Sequence, residues 1–218
     1  MSGLLAYKKL ITLIDICCAC IINGLLWAIV GFTAISEIAM PRFDKILMLD
    51  IDETLIHSSY HLLDREADLQ LGPYYIYKRP GVEYFLDQCF EWFEVGIWTT
   101  ATKDYATFIM EHLLDDLLKL AFMWTRKSCE RNIDFDHMFA YYIKDLQKLC
   151  REKKYDPSKI IVIDDLWKTA EKNPENLVLV DRYDGNSEDD ELYGLIPYLG
   201  MLGASKEDIR KVDKSNWR

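Results

Sequence analysis

The feature that most constrains this chain is Ile46-Leu47-Met48-Leu49-Asp50-Ile51-Asp52-Glu53-Thr54-Leu55, an apolar run that ends in two carboxylates one residue apart. A short apolar run bounded by charge predicts a parallel strand covered on both faces. A second run, Ile160-Ile161-Val162-Ile163, repeats the pattern and ends in Asp164-Asp165. Strand-type and helix-type stretches alternate along the chain, which predicts an α/β fold with a parallel sheet and helices on both faces. Ligands in such sheets bind beyond the carboxyl ends of the strands, where these acids fall.

Asp50 and Asp52 lie on the same side of an extended backbone, close enough for their charges to couple. Coupling favours one ionised and one protonated carboxyl, the pairing that a nucleophile and a general acid require. A solvated acidic turn is the alternative for an Asp-x-Asp pair alone. Asp-x-Asp-x-Thr at the end of an apolar strand is more specific.

Further elements follow in order. Tyr74-Tyr75-Ile76-Tyr77, punctuated by Gly72-Pro73, predicts a flap or hairpin beside the first strand end. His57 and His61 lack ligand spacing and belong to that flap. Pro80 is placed to initiate a helix over Val82–Phe90. Phe93–Trp98 predicts a strand ending in Thr99-Thr100, and Lys103 starts an amphipathic helix that should run to about Leu118. Leu120–Trp124 and Leu177–Val180 read as strands, and Asp145–Cys150 as a helix. Asp181–Glu191 is acidic enough for a solvated loop. Two short helices should close the chain, the second opened by a capping box at Ser205-Lys206-Glu207-Asp208.

Asp50-Ile51-Asp52-Glu53-Thr54-Leu55 resembles the first motif of haloacid dehalogenase (HAD) superfamily phosphatases. With Ile56-His57-Ser58 it is similar to the branch of C-terminal-domain phosphatases, NLI-interacting-factor proteins and Dullard-type phosphatases. Arg79-Pro80-Gly81 and Arg126-Lys127-Ser128-Cys129 also resemble that branch. The resemblance implies a Rossmann-like HAD sheet with Asp50 as phosphoryl-accepting nucleophile and Asp52 as acid/base. Thr54 joins these two as part of the first motif. Thr99 matches the second motif, whose hydroxyl donates to a phosphoryl oxygen. Lys144 in Tyr142-Ile143-Lys144-Asp145-Leu146 matches the third, a point charge suited to phosphate. Asp164-Asp165 matches the fourth.

Oxygen-only ligands on adjacent strand ends suit a hard cation, and Mg²⁺ is the usual one beside phosphate. The implied metal set is Asp50, Asp52, Asp164 and Asp165. Asp165 departs from the Asn that C-terminal-domain phosphatases commonly carry. Arg126 and Thr100 are the implied substrate contacts.

Composition narrows the function classes. A net charge of -10 and a pI near 4.9 argue against a nucleic-acid surface. Three of the six cysteines, Cys17, Cys18 and Cys20, crowd into one apolar segment and the other three are widely scattered, so neither a zinc site nor a disulfide framework is indicated. Residues 16–35 carry no charge, and twenty such residues as a helix match the ~30 Å hydrocarbon core of a bilayer. A cleaved signal peptide and a helix packed on protein are the alternatives. The expected organisation is an N-terminal transmembrane segment and linker, 1–42, followed by the phosphatase domain, 43–218. Reduced thiols suggest that this domain faces the cytosol.

The intervals Leu55–Lys78 and Thr100–Ile143, where a cap could enter, are too short for an independent lid of about 50 residues or more. An uncapped site admits a side chain on a protein surface. The resemblance implies Mg²⁺-dependent phosphomonoester hydrolysis through an aspartyl-phosphate, and together with the uncapped site it implies phosphoserine or phosphothreonine of a protein as substrate. The alternative is a non-catalytic membrane adaptor that uses the same fold to bind protein.

Overall fold

The computed structural model describes residues 40–135, 138–215 and 217–218. The apolar run 16–35, and with it the expected membrane helix and its orientation, lies outside the described residues. Among the described residues, no helix is long and apolar enough to cross a membrane.

Five strands form the central parallel sheet: β1 (Ile46–Leu49), β5 (Glu94–Trp98), β6 (Phe122–Trp124), β9 (Ile160–Asp164) and β10 (Leu177–Leu179), in the order β10-β9-β1-β5-β6. β1 is buried at all four positions because both faces of the sheet are covered. Leu47 and Leu49 join Val95, Ile97, Ile161 and Ile163 on one face. There they meet the apolar sides of helices α1 (Val82–Trp92), α2 (Lys103–Leu113) and α4 (Glu191–Ala204). Ile46 and Met48 point the other way, with Trp98, Ile160 and Val162, onto Leu146 and Leu149 of helix α3 (Leu146–Lys153). The expected α/β architecture with helices on both faces is the one observed.

The strand order places the site. From β1 the chain moves to β5 and β6 on one side, then crosses to β9 and β10 on the other, so the order in which strands are added reverses between β1 and β9 while the strands stay parallel. Such a reversal opens a crevice at the carboxyl ends of the two strands. Leu49 is in register with Ile163, which puts Asp50 beside Asp164.

Two small antiparallel sheets sit outside this core. β2 (Ile56–Ser59), β3 (Leu69–Leu71) and β4 (Tyr74–Lys78) form the expected flap, ordered β2-β4-β3. β7 (Glu130–Asp134) and β8 (Phe139–Ile143) form a hairpin that the sequence pattern does not announce.

Several boundaries differ from expectation. Gly81, not Pro80, is the N-cap of α1, with a left-handed φ of 77°. A Cβ there would also lie 2.6 Å from the Tyr193 ring, so both conformation and space call for glycine. α2 stops at Leu113, because Asp116 accepts a hydrogen bond from the Leu118 amide and starts a separate 3₁₀ turn, Leu117–Lys119. In place of two short helices, the chain end holds a 14-residue helix, α4, and a 3₁₀ turn, Ile209–Lys211, which Asp208 caps through the Arg210 amide. Ser205 terminates α4, and the Ser205 hydroxyl accepts from the Glu207 amide in a local turn instead of a capping box. The acidic stretch after β10 is not wholly solvated: Asp189 accepts two bonds from the buried Arg79 guanidinium, at 2.7 and 2.9 Å.

Candidate active site

Asp50 and Asp164 occupy neighbouring strand ends because the sheet ladder continues one step past β1, where the Asp50 amide donates to the Ile163 carbonyl at 3.0 Å. Two buried carboxylates side by side require a counter-charge. Lys144 supplies it: its Nζ donates to Asp50 Oδ1 at 2.5 Å and to Asp164 Oδ2 at 2.7 Å. The lysine follows directly on β8, and its backbone is fixed at both ends. Its amide donates to the Thr169 carbonyl at 2.7 Å, and its carbonyl accepts from Asn173 Nδ2 at 3.2 Å. Burial works to discharge the ammonium, but the Asp164 and Asp50 carboxylates outweigh it and hold the Lys144 pKa above its ordinary value. Burial likewise pushes Asp50 well up, opposed by Lys144 and reinforced by Asp164 and Asp52.

Asp164 is oriented by two further donors, the Leu166 amide to Oδ1 at 2.9 Å and the Thr169 hydroxyl to Oδ2 at 2.6 Å. Asp165 accepts from the Thr54 hydroxyl at 3.4 Å. Burial and the adjacent Asp164 push Asp165 up to about 6, against the pull of Arg182.

Carboxylate oxygens of Asp50, Asp164 and Asp165 all lie within 4.8 Å of one another. Three hard oxygen donors on a shared rim fit Mg²⁺ better than a softer, sulfur- or imidazole-seeking ion. The carboxylate of Asp52, the fourth acid of the set expected from the sequence, is not in this group. Its Oδ1 accepts from the Tyr105 hydroxyl at 2.8 Å, and that hydroxyl is also 2.8 Å from Ser58 Oγ. Burial raises the Asp52 pKa, with Glu53 adding and the Tyr105 bond opposing. That environment suits a carboxyl that carries a proton before reaction.

Thr99 is fully buried at the end of β5, and its Oγ1 accepts from the Ala101 amide at 3.1 Å, which leaves the hydroxyl proton for another acceptor. Thr54 faces Asp165 through its hydroxyl, so its place is behind a carboxylate of the cluster. Arg126 lies at the exposed rim, where Nε donates to the Thr100 carbonyl at 2.7 Å and the guanidinium covers the Tyr142 ring. Tyr105 and Thr169 are the contacts that sequence reasoning missed. Tyr105 is one of several aromatic positions on an amphipathic helix, and Thr169 lies in a 3₁₀ turn, so neither residue carries a local signal.

Residues 45–210 match the family of NLI interacting factor-like phosphatases. The chain is 31% identical over 175 residues to a probable C-terminal domain small phosphatase of Dictyostelium discoideum, across 77% of this chain and 53% of that one. It is 32% identical over 170 residues to mitochondrial import inner membrane translocase subunit tim50 of Emericella nidulans, across 78% of this chain and 28% of that one. Among solved structures it is similar to the fission yeast RNA polymerase II CTD phosphatase Fcp1 bound to beryllium fluoride. That match has 22% identity and a TM-score of 0.49, and covers 77% of this chain and 52% of the other. The chain thus spans about half the length of the first of these curated relatives and less than a third of the second. The family match contains the whole acidic cluster with its lysine, and the chain belongs to the NLI interacting factor-like phosphatase family, on the C-terminal-domain phosphatase branch of the HAD fold.

Proposed function

We propose that the chain hydrolyses phosphomonoesters through an aspartyl-phosphate, with phosphoserine or phosphothreonine of a protein as substrate. The observation that carries the reading is the division of labour among the acids. Asp50 is clamped by Lys144 inside the cluster, while Asp52 is held apart by Tyr105.

In this reading an Asp50 carboxylate oxygen attacks phosphorus in line, and the bond from phosphorus to the substrate oxygen breaks. Asp52 gives its proton to that leaving oxygen. Water then attacks the phosphorus of the aspartyl-phosphate and passes a proton to Asp52, which frees inorganic phosphate and restores Asp50. The Lys144 ammonium and the Thr99 hydroxyl face the charge on the phosphoryl oxygens. Asp50, Asp164 and Asp165 would hold Mg²⁺, which when bound supplies further positive charge to those oxygens.

The similarity to a translocase subunit supports a second reading, a protein-binding receptor without turnover. One assay separates them: hydrolysis of a generic aryl phosphate by the full chain, with Mg²⁺ and with chelator. The phosphatase reading expects turnover with Mg²⁺ and its loss with chelator. No turnover under either condition would leave the receptor.

A further inference from the structure

The β7–β8 hairpin does more than extend the chain to Lys144. Between β8 and the 3₁₀ turn Trp167–Ala170 lies a groove of about 270 Å³. Phe139, Tyr141, Tyr142 and Leu166 line it, with Thr100 and Thr169 also on the lining. The Lys168 ammonium lies over the Phe139 and Tyr141 rings, at 4.9 and 4.5 Å from their centroids, and is paired with Asp134 at 2.5 Å. Its charge is therefore compensated, and what the groove offers an incoming group is aromatic and aliphatic surface.

The groove shares residues with the surroundings of the acidic cluster. Thr169 and Leu166, on its wall, are the residues that bond Asp164. Thr100 follows Thr99, and its carbonyl holds Arg126. A residue next to a phosphorylated side chain bound at Asp50 would have this opening within reach, through the turn that holds Asp164. The volume lies below the roughly 300–1,000 Å³ of pockets that enclose whole small molecules, and it suits one large side chain.

We propose that this groove is a specificity site of the same reaction. It takes a bulky apolar side chain, leucine, methionine or an aromatic, next to the phosphorylated residue of a protein substrate. The proposal rests on the phosphoprotein reading above, and it adds a sequence preference set by the hairpin.

The test compares two labelled phosphoserine peptides that differ only at the neighbouring position, leucine against serine. Binding to the full-length chain is followed by fluorescence anisotropy in chelator, and turnover is followed with Mg²⁺. The leucine peptide should bind the native chain about tenfold more tightly, which corresponds to ~1.4 kcal/mol. In Phe139→Ser that ratio should fall to about two or less, and Leu166→Ser, also on the lining, should do the same. Equal affinities on the native chain, or a ratio unchanged in both variants, would overturn the groove whatever the turnover. An intact ratio without turnover would support the groove and sink the hydrolytic reading alone. Faster hydrolysis of long-chain phosphatidate vesicles than of either peptide, abolished by Phe139→Ser, would assign the groove to an acyl chain and overturn the peptide proposal.

Discussion

At the scale of the residue, Lys144 decides whether the acidic cluster can exist. It is 1% exposed and is the cation hydrogen-bonded to both Asp50 and Asp164. Removing one partner of a buried ion pair leaves uncompensated charge and typically costs about 3–5 kcal/mol. Lys144→Met should therefore lower stability by that order in urea unfolding with chelator present, and added Mg²⁺ should restore part of the loss. A change under about 0.5 kcal/mol, as at an ordinary surface lysine, would contradict the assigned geometry. Tyr105 tests the separate placing of Asp52. Tyr105→Phe removes the donor to the charged form of Asp52, so the Asp52 pKa should rise further. The limb of the pH–rate profile that requires ionised Asp52 should move to higher pH. In addition, kcat should fall about tenfold with KM little changed, the mark of a group that acts in the transition state. An unmoved profile would mean that Tyr105 only packs.

At the scale of the element, legibility followed burial. β1, β5 and β9 were readable because a strand covered on both faces must be apolar at nearly every position. The paired acids at β1 and β9 were readable for the related reason that charge ends such runs. The β7–β8 hairpin was not, since Glu130-Arg131-Asn132-Ile133-Asp134 is mostly exposed and polar, and its pairing with β8 leaves no apolar period. The length of α4 was obscured by Pro197 and by glycines at 194, 200 and 203, residues that ordinarily argue against a 14-residue helix. Gly96 in β5 has a purpose that sequence alone conceals. A Cβ there would meet the Phe122 ring at 2.4 Å, across the β5–β6 pair. Gly96→Ala should destabilise by ~1–3 kcal/mol through overpacking. Combining it with Phe122→Ala should cost less than the sum of the two single changes, since the ring that clashes is then gone. Full additivity in that cycle would contradict the contact.

At the scale of the whole molecule, the order of strands explains why residues as distant as Asp50, Lys144 and Asp164 form one site. β1 and β9 flank the point where the strand order reverses, and the hairpin delivers Lys144 to both. The two intervals where a cap could enter hold a three-stranded flap and a two-stranded hairpin among the described residues. A site without an independent cap in these intervals should prefer phosphopeptides. Catalytic efficiency on phosphoserine peptides should exceed that on sugar phosphates and nucleotides, and a hundredfold preference for a small metabolite, about 2.7 kcal/mol, would contradict it. The central claim is that Asp50 carries the phosphoryl group. The direct measurement is rapid acid quenching during turnover of a radiolabelled phosphoserine peptide, followed by mapping of the label. The account predicts label on Asp50, released by hydroxylamine as expected of an acyl phosphate, and neither label nor appreciable turnover in Asp50→Asn. Turnover by Asp50→Asn near the native rate, with no protein-bound label in either chain, would contradict it.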